Sequence, residues 1–385
     1  MLRAMPNIMG APDRLHTHVV DADGISALDA DAWDRLSAAA LSENPFYARQ
    51  YVLAGLTTID AAAGVKAVCV TDERGELAGL FPFRQYNLLP LASSVAHGAS
   101  NLYQFSGHPL VARERAGEVI GAWLDTILSG KAPRIWMLPN FDLNSRLKCL
   151  IESECADRGI TTATAAPYDR PHLTGVAGGF DAHCAKVIPR KRLKDIQRNL
   201  RRLHECGELA FERATEPIRV RQRLDQFLEL EAAGWKGDYG TAFLSAKEHE
   251  LFARHAFSGN SEGQARCIID SLLLDGEPIA LSINISSGSV AFTPKCAYSE
   301  KWRRYSPGIV LEYLVVERFY AQSEFAEMDA ATVALDHVVR DLWNARMTMG
   351  HLVIGANRRG TRALATGLAW AHRGKKVARR ILRRR

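Results

Sequence analysis

Apolar positions recur along the chain at two periods. Helical spacing of Ile25, Leu28, Trp33, Leu36 and Leu41 predicts a helix over 24–41, which Asn44-Pro45 ends before a short helix over 46–56. Strand-like runs at 65–71 and 77–85 flank an Asp-Glu-Arg-Gly turn. Residues 86–110 read as loop. Helix 114–129, strand 134–138, helix 143–158 and strand 160–166 follow. A stretch rich in proline, glycine and aspartate over 167–179 reads as a domain boundary. Beyond it come a basic amphipathic helix (189–206), a helix (219–235) ending in Gly-Trp-Lys-Gly-Asp-Tyr, and a strand over 279–285 with a turn at Ser286-Ser287-Gly288. The return strand starts at Val290, and a helix opens at Ser306-Pro307-Gly308. A strand over 325–330, the segment 331–346, a strand over 351–355 and a basic amphipathic helix or tail over 360–385 complete the reading. Residues 1–18 read as a loose leader.

The hairpin at 65–85 and a second at 266–286 share one pattern: a strand, an acidic-glycine turn, and a return strand that starts on small residues. Each is preceded by helices. This points to an internal duplication. The expected fold is α/β (mixed α+β): two similar domains with mixed central sheets flanked by helices. The expected limits are 1–170, 180–360 and a basic tail over 361–385.

Composition changes the picture in two places. The chain carries a net charge of +6 over 385 residues, yet after Asp341 there are 12 Lys/Arg and no Asp or Glu, so the remainder holds 37 basic against 43 acidic residues. The basic excess belongs to the C-terminal part, where Trp370, Val377, Ile381 and Leu382 interleave with Arg and Lys. That composition suits an anionic membrane surface; the basic charge also suits nucleic acid, and a helix that packs back on the domain with a frayed basic end is the remaining reading. Seven cysteines without a C-x-x-C pair argue against a zinc site and a disulfide framework, and favour a reducing cytoplasm. No secretory signal and no membrane-spanning run is read. The expected place is the cytoplasm, peripheral at the inner face of the membrane. Also missing are G-x-S-x-G, P-loop, Rossmann and H-E-x-x-H patterns, so no metal is expected.

The candidate chemistry centres on 278–322. Ser306 is a good helix N-cap and Pro307 suits the first turn. The helix N-terminus offers free N–H groups to a phosphate, and Gly308 permits close approach. Lys301, Arg303 and Arg304 add positive charge, and the strand before them suits an extended arm. A ligand with a pyrophosphate and an arm, such as coenzyme A, fits this order. Lys191, Arg192, Lys194, Arg198, Arg201 and Arg202 surround the apolar stripe of helix 189–206; CoA phosphates, RNA or anionic lipid would meet them, or they form a solvated face.

The run CAYSEKWRRYSPGIVLEYLV resembles a segment of the CelD/FemAB-like branch of GNAT acyltransferases, where an aromatic-rich strand precedes Y-S-P-G-x-x-L. The basic helix, the FLELEAAGWKGDYGTAF stretch, the LLLDGEPIALSI hairpin and EMDAATVALDHVVRDLWNAR extend the likeness over roughly 181–345. The compact Q/R-x-x-G-x-G/A phosphate loop of ordinary GNAT enzymes is missing, which leaves the donor open. The resemblance implies two GNAT-like domains and acyl transfer from acyl-CoA, acetyl-CoA or longer, to an amine or hydroxyl of a small molecule, sugar or lipid precursor. Polysaccharide biosynthesis is one setting. Lys295, Arg303, Arg304, Tyr305, Ser306, Pro307 and Gly308 become cofactor-binding candidates. Trp235, Lys236, Tyr239, His97 and Tyr103 become acceptor-binding candidates. Asp329, Asp336, His337 and Tyr305 become catalytic candidates, the first three as bases and Tyr305 as proton donor to the leaving thiolate. Two alternatives stand beside this: a Fem-type transferase with aminoacyl-tRNA as donor, and a non-catalytic module of polysaccharide or envelope assembly.

Overall fold

The computed structural model describes residues 14–88, 93–258, 265–333 and 338–382. Its first half contains β1 (His16–Val20), α1 (Ala22–Ser26), α2 (Ala30–Ala39), α3 (Arg49–Leu56), β2 (Val65–Thr71), β3 (Leu77–Leu88), β4 (Ser93–Gly98), β5 (Leu110–Val111), α4 (Ala116–Leu128), β6 (Ile135–Asp142), α5 (Arg146–Asp157) and β7 (Thr161–Thr174). The second half contains α6 (Gly179–Lys186), α7 (Arg190–His204), β8 (Leu209–Ala214), α8 (Pro217–Ala232), α9 (Trp235–Asp238), α10 (Lys247–Ala256), β9 (Ala265–Leu274), β10 (Glu277–Ser287), β11 (Val290–Tyr298), α11 (Pro307–Gln322), β12 (Glu327–Asp329), β13 (Ala345–Gly355) and α12 (Arg358–Leu382).

These strands form a single mixed sheet in the order β1-β2-β3-β4-β6-β13-β7-β12-β11-β10-β9-β8, with β5 on β3. The order is a palindrome of two similar halves. In each, a hairpin leads to a strand that runs parallel to the next but one or the next: β4 with β6 over Val95–His97, and β11 with β12 over Val290–Phe292. The other described pairings are antiparallel. The last strand of each half is exchanged. β7 leaves the first half to pair with β12, and β13 leaves the second half to pair with β6. β7 and β13 then pair with each other along the centre of the sheet.

This exchange corrects the boundary at 167–179. Residues 167–174 are strand, not linker. The register of β7 against β13 shifts between Tyr168 and Ala165, and Ala166 adopts φ 51° there. A bulge accommodates Pro167, because a proline cannot donate to a regular ladder. Turn-rich composition thus marks an irregular central strand. The limits 1–170 and 180–360 do not delimit separable sheets either, since β13 completes the first half and β7 the second.

Other differences are local. The helix expected over 24–41 is two helices, because Asp29 accepts the Ala32 N–H (2.7 Å) and starts α2 afresh. The loop expected over 86–110 holds the end of β3, then β4 and β5. Its Ser, Ala and Gly residues carry no alternation, and pairing with β3 and β6 makes β4 a strand.

Separate apolar cores lie under α4 and α5 in the first half and under α7 and α11 in the second. A third core joins the halves: Phe46, Tyr51 and Tyr103 from the first pack with Phe227, Phe243, Phe252, Phe257 and Phe292 from the second.

Candidate active site

The parallel contact of β11 with β12 lasts three residues, Val290–Phe292, and β11 then continues to Tyr298 without it. The register with β10 also slips after Phe292, so that Ile285 faces Phe292 while Ile283 faces Lys295. A bulge at Thr293-Pro294 therefore coincides with the splaying of the two strands, and opens a backbone edge on β11. Lys236 meets this edge, donating from Nζ to the Cys296 carbonyl at 2.7 Å.

Beyond Tyr298 a 3-10 turn, Glu300–Tyr305, leads into α11. The helix start differs from the expected Ser306 side-chain cap. Ser306 is left-handed (φ 49°, ψ 54°) and its hydroxyl caps nothing; its carbonyl instead accepts the Ile309 and Val310 N–H groups at 2.9 and 3.1 Å. Pro307 has no N–H to satisfy, so the Gly308 N–H is the group the first turn can offer to an anion. A Cβ at Gly308 would lie 3.6 Å from the Tyr298 ring, so a methyl fits there but a branched side chain would reach into the approach. Arg303 and Arg304 are exposed beside this turn; Arg304 stacks on Tyr305 at 4.6 Å. Tyr305 points to α7 and its oxygen accepts the Cys206 thiol at 3.7 Å, which fastens the 3-10 turn to the basic helix. On α7, Ile196 and Leu203 are buried and Lys191, Lys194, Arg198, Arg201 and Arg202 are exposed.

On the other face of β11, the carboxylate of the fully buried Glu231 collects three donors. Lys295 Nζ (2.9 Å) and Lys236 Nζ (3.1 Å) share Oε1, and the Phe243 N–H (2.9 Å) takes Oε2. The Lys295 ammonium also lies 4.2 Å from the Phe243 ring centre and 5.3 Å from that of Tyr103. Burial lowers the Lys295 pKa, and the Glu231 charge opposes that shift. The Tyr103 hydroxyl meets His249 Nδ1 at 2.6 Å, and its pKa is raised by burial, then by Glu231 and Glu248. Trp235 (48% exposed) and Tyr239 (77% exposed) stand at the rim, their rings 6.1 Å apart. Of the acceptor-side candidates, Lys236 and Tyr103 thus converge with Lys295, and Trp235 and Tyr239 border them. His97 does not join them. It lies on β4, its Nδ1 2.7 Å from the Gly98 carbonyl, and burial lowers its pKa.

Asp329 is a partnered carboxylate. It accepts from Arg170 Nη1 (3.2 Å) and from the Ala331 N–H (2.7 Å), with both side chains buried. Arg170 also donates to the Phe105 carbonyl (2.8 Å), the Tyr168 oxygen (2.9 Å) and the Thr332 carbonyl (3.1 Å). Every direction around that guanidinium is used, so the pair fixes the end of β12 to the first half's loop. Of the two readings open for the base candidate Asp329, facing the cleft or having a partner, the structure shows the partnered one. Asp336 and His337 lie outside the described residues.

Three residues that matter here escaped the sequence reading. Arg170 stood within the supposed linker. Glu231 follows Val220, Leu224, Phe227 and Leu228 on the apolar stripe of α8, and Glu312 precedes Val315, Val316 and Phe319 on that of α11. A carboxylate on an apolar face was the available signal for both. Glu312 is buried, its Oε1 accepts from Ser282 (3.2 Å), and its Oε2 meets no donor among the described residues; burial pushes its pKa up to about 7. Among the described residues no cluster of metal-ligating side chains occurs and no helix is long and apolar enough to cross a membrane.

Residues 190–337 match the family model described as the acetyltransferase (GNAT) domain. No curated protein matches the sequence. Among solved structures, FemX superposes with a TM-score of 0.56 at 11% identity, over 88% of this chain and 98% of that one. The C-terminal domain of a protein assigned as a lysylphosphatidylglycerol synthetase from Agrobacterium fabrum gives 0.54 at 13% identity, over 88% and 95%. A conserved protein of unknown function from Bacteroides thetaiotaomicron gives 0.53 at 9% identity, over 85% and 98%. At such identities these likenesses concern the fold. The matched stretch begins at the start of α7 and runs past β12, and so takes in the splayed strands, the 3-10 turn and α11.

Proposed function

We propose that the protein transfers an acyl group from acyl-CoA to an amine or hydroxyl of a small molecule, sugar or lipid precursor. The observation that carries this is the open edge of β11 past Phe292, which leads to the Gly308 N–H and the exposed Arg303 and Arg304. An extended pantetheine arm would add to the strand edge, and its pyrophosphate would meet the helix N-terminus and the arginines. The acceptor enters from the Trp235–Tyr239 rim, where Lys295 and Lys236 hold a carbonyl or anionic group in place. The acceptor's lone pair attacks the thioester carbon, the C–S bond breaks, and CoA leaves as the thiol. With Asp329 bound to Arg170, Asp336 and His337 remain the candidates to take the acceptor's proton.

Calorimetric titration with CoA and acetyl-CoA at moderate salt tests the donor. Saturable micromolar binding that Gly308→Val removes, with the melting temperature unchanged, supports the proposal; no binding at millimolar ligand overturns it. A second reading, an aminoacyl-tRNA donor, is favoured by the basic face of α7. That face continues the charge of the 3-10 turn for about 22 Å along its 15 residues, further than a nucleotide requires. Turnover with charged tRNA but not with CoA thioesters would establish it.

A further inference from the structure

The helix α12 begins as part of the body. Asn357 caps it, its Oδ1 accepting the Gly360 N–H at 3.0 Å. The first three turns then pack on the centre of the sheet. Ala365 is buried, and Leu364 and Leu368 lie against a core that includes Ile135, Met137, Ala165 and Val353. β7 and β13 are its main packing partners. Among the residues whose side chains are described, Leu368 is the last of α12 against that core, and the helix continues to Leu382, a further 14 residues or about 21 Å. Two residues further on stands Trp370, 72% exposed, whereas Trp33, Trp123, Trp136 and Trp343 are fully buried. Arg373 and Gly374 after it are exposed as well.

The sequence from Trp370 onward has two features. Eight of the thirteen residues from Arg373 to Arg385 are Arg or Lys, and none is acidic. Val377 and Ile381 follow Trp370 by seven and eleven positions, which is helical spacing. An indole with aliphatic residues on one side and arginines around it is the composition of a helix lying in a bilayer interface. A nucleic-acid arm needs the charge but not the indole.

We propose that the segment from Trp370 onward docks the protein on an anionic lipid surface, with the indole in the headgroup layer. The distribution of charge supports this and also orients the molecule. Up to Asp341 the chain carries 37 basic against 43 acidic residues, so an anionic bilayer repels the body and attracts the tail. The inference is independent of the acyl donor, because α12 lies outside the β11–α11 region.

The test uses the full chain in co-sedimentation with phosphatidylcholine vesicles, with and without phosphatidylglycerol. Binding is expected to the anionic vesicles alone and to weaken as salt rises. Trp370→Ala should lower the partition coefficient at least tenfold, and the combined reversal Lys375→Glu, Lys376→Glu, Arg379→Glu and Arg380→Glu should abolish it. Both variants spare the packed turns and should keep the wild-type melting temperature and CoA affinity. Equal binding to neutral vesicles, no binding to either, or partition unmoved by Trp370→Ala overturns the proposal. So does charge-dependent retention of nucleic acid without vesicle binding.

Discussion

Replacing Glu231 by Gln tests the buried charge cluster on which the proposed acceptor side is built. The carboxylate is fully buried and receives Lys295, Lys236 and the Phe243 N–H. An amide keeps one acceptor oxygen and turns the other position into a donor that must face either an ammonium or the Phe243 N–H. Two ammonium groups then share a dry site without a counter-charge. Removing one member of a buried ion pair costs about 3–5 kcal/mol. By contrast, Lys295→Met leaves Glu231 with Lys236 and the Phe243 N–H, so its cost is that of one charged hydrogen bond, about 1.5–3 kcal/mol. In the double variant the unpaired Lys295 ammonium is gone, and the loss should fall short of the sum of the two single losses by at least about 1 kcal/mol. Urea unfolding monitored by tryptophan fluorescence gives all four corners of the cycle. The pH dependence adds an internal check. Burial already holds the Lys295 pKa below its usual value, and loss of Glu231 lowers it further, so the defect of Glu231→Gln should shrink as pH rises from 7 towards 10. A loss under about 1 kcal/mol, or strict additivity of the two single changes, would refute the reasoning.

Arg170→Met should destabilise by about 3–5 kcal/mol, since it strands buried Asp329 and frees the Phe105 and Thr332 carbonyls; adding Asp329→Asn should recover part of the loss in the same unfolding assay. Burial holds His108 at a pKa of about 3, so the unfolded chain binds a proton that the folded one refuses between pH 6.5 and 3. Stability is therefore lost as pH falls through that window, by about 2 kcal/mol at pH 5, and His108→Gln should flatten this limb of the stability profile. Glu312 shifts the other way: with its pKa raised to about 7, its contribution is complete below pH 4.5 and is lost as pH rises through 7. Glu312→Gln should accordingly stabilise the protein at pH 8 by about 3 kcal/mol, while a change under about 1 kcal/mol would show that the buried acid is relieved by rearrangement.

The local architecture was legible in the sequence wherever one face of an element meets water. The hairpin β2–β3, the amphipathic α7 and the β11–turn–α11 order all have a polar side that sets the period, and each was read close to its limits. The exchanged strands were not. β7 and β13 pair on both edges in the middle of the sheet, and their extra length is fixed by partners remote in sequence. Pro167 and Pro171 spoke for a break that a bulge absorbs. Among site residues, Lys236 and Lys295 were named singly, but their common partner Glu231 was not. Only the crossing of α8 over β11 shows that two lysines belong to one carboxylate.

The palindrome raises the question of why one half keeps the open strand and the other does not. β4 stands to β6 as β11 stands to β12, and a loop and helix follow both. After His97, however, the chain of the first half folds back into the space that the second half leaves open. A Cβ at Gly107 would lie 2.0 Å from the Pro139 carbonyl oxygen, so only glycine permits that approach. Asn140 Nδ2 holds the Gln104 carbonyl (3.2 Å), and Asn44 Nδ2 holds that of His108 (2.6 Å). Neither approach to a ligand survives: the strand gap is filled with backbone, and the helix start is closed by the Arg115–Glu118 pair and the buried Ala116. The same loop carries Phe105 to Arg170 and Tyr103 to Lys295. The first half thus fills its own strand gap and supplies a wall to the Lys295–Glu231 cluster of the second. The stretch that matches the family model, residues 190–337, holds the half with the open strand, and both halves share a strand order. The exchanged strand β7 is the element that places Arg170, and through it the loop, against β12.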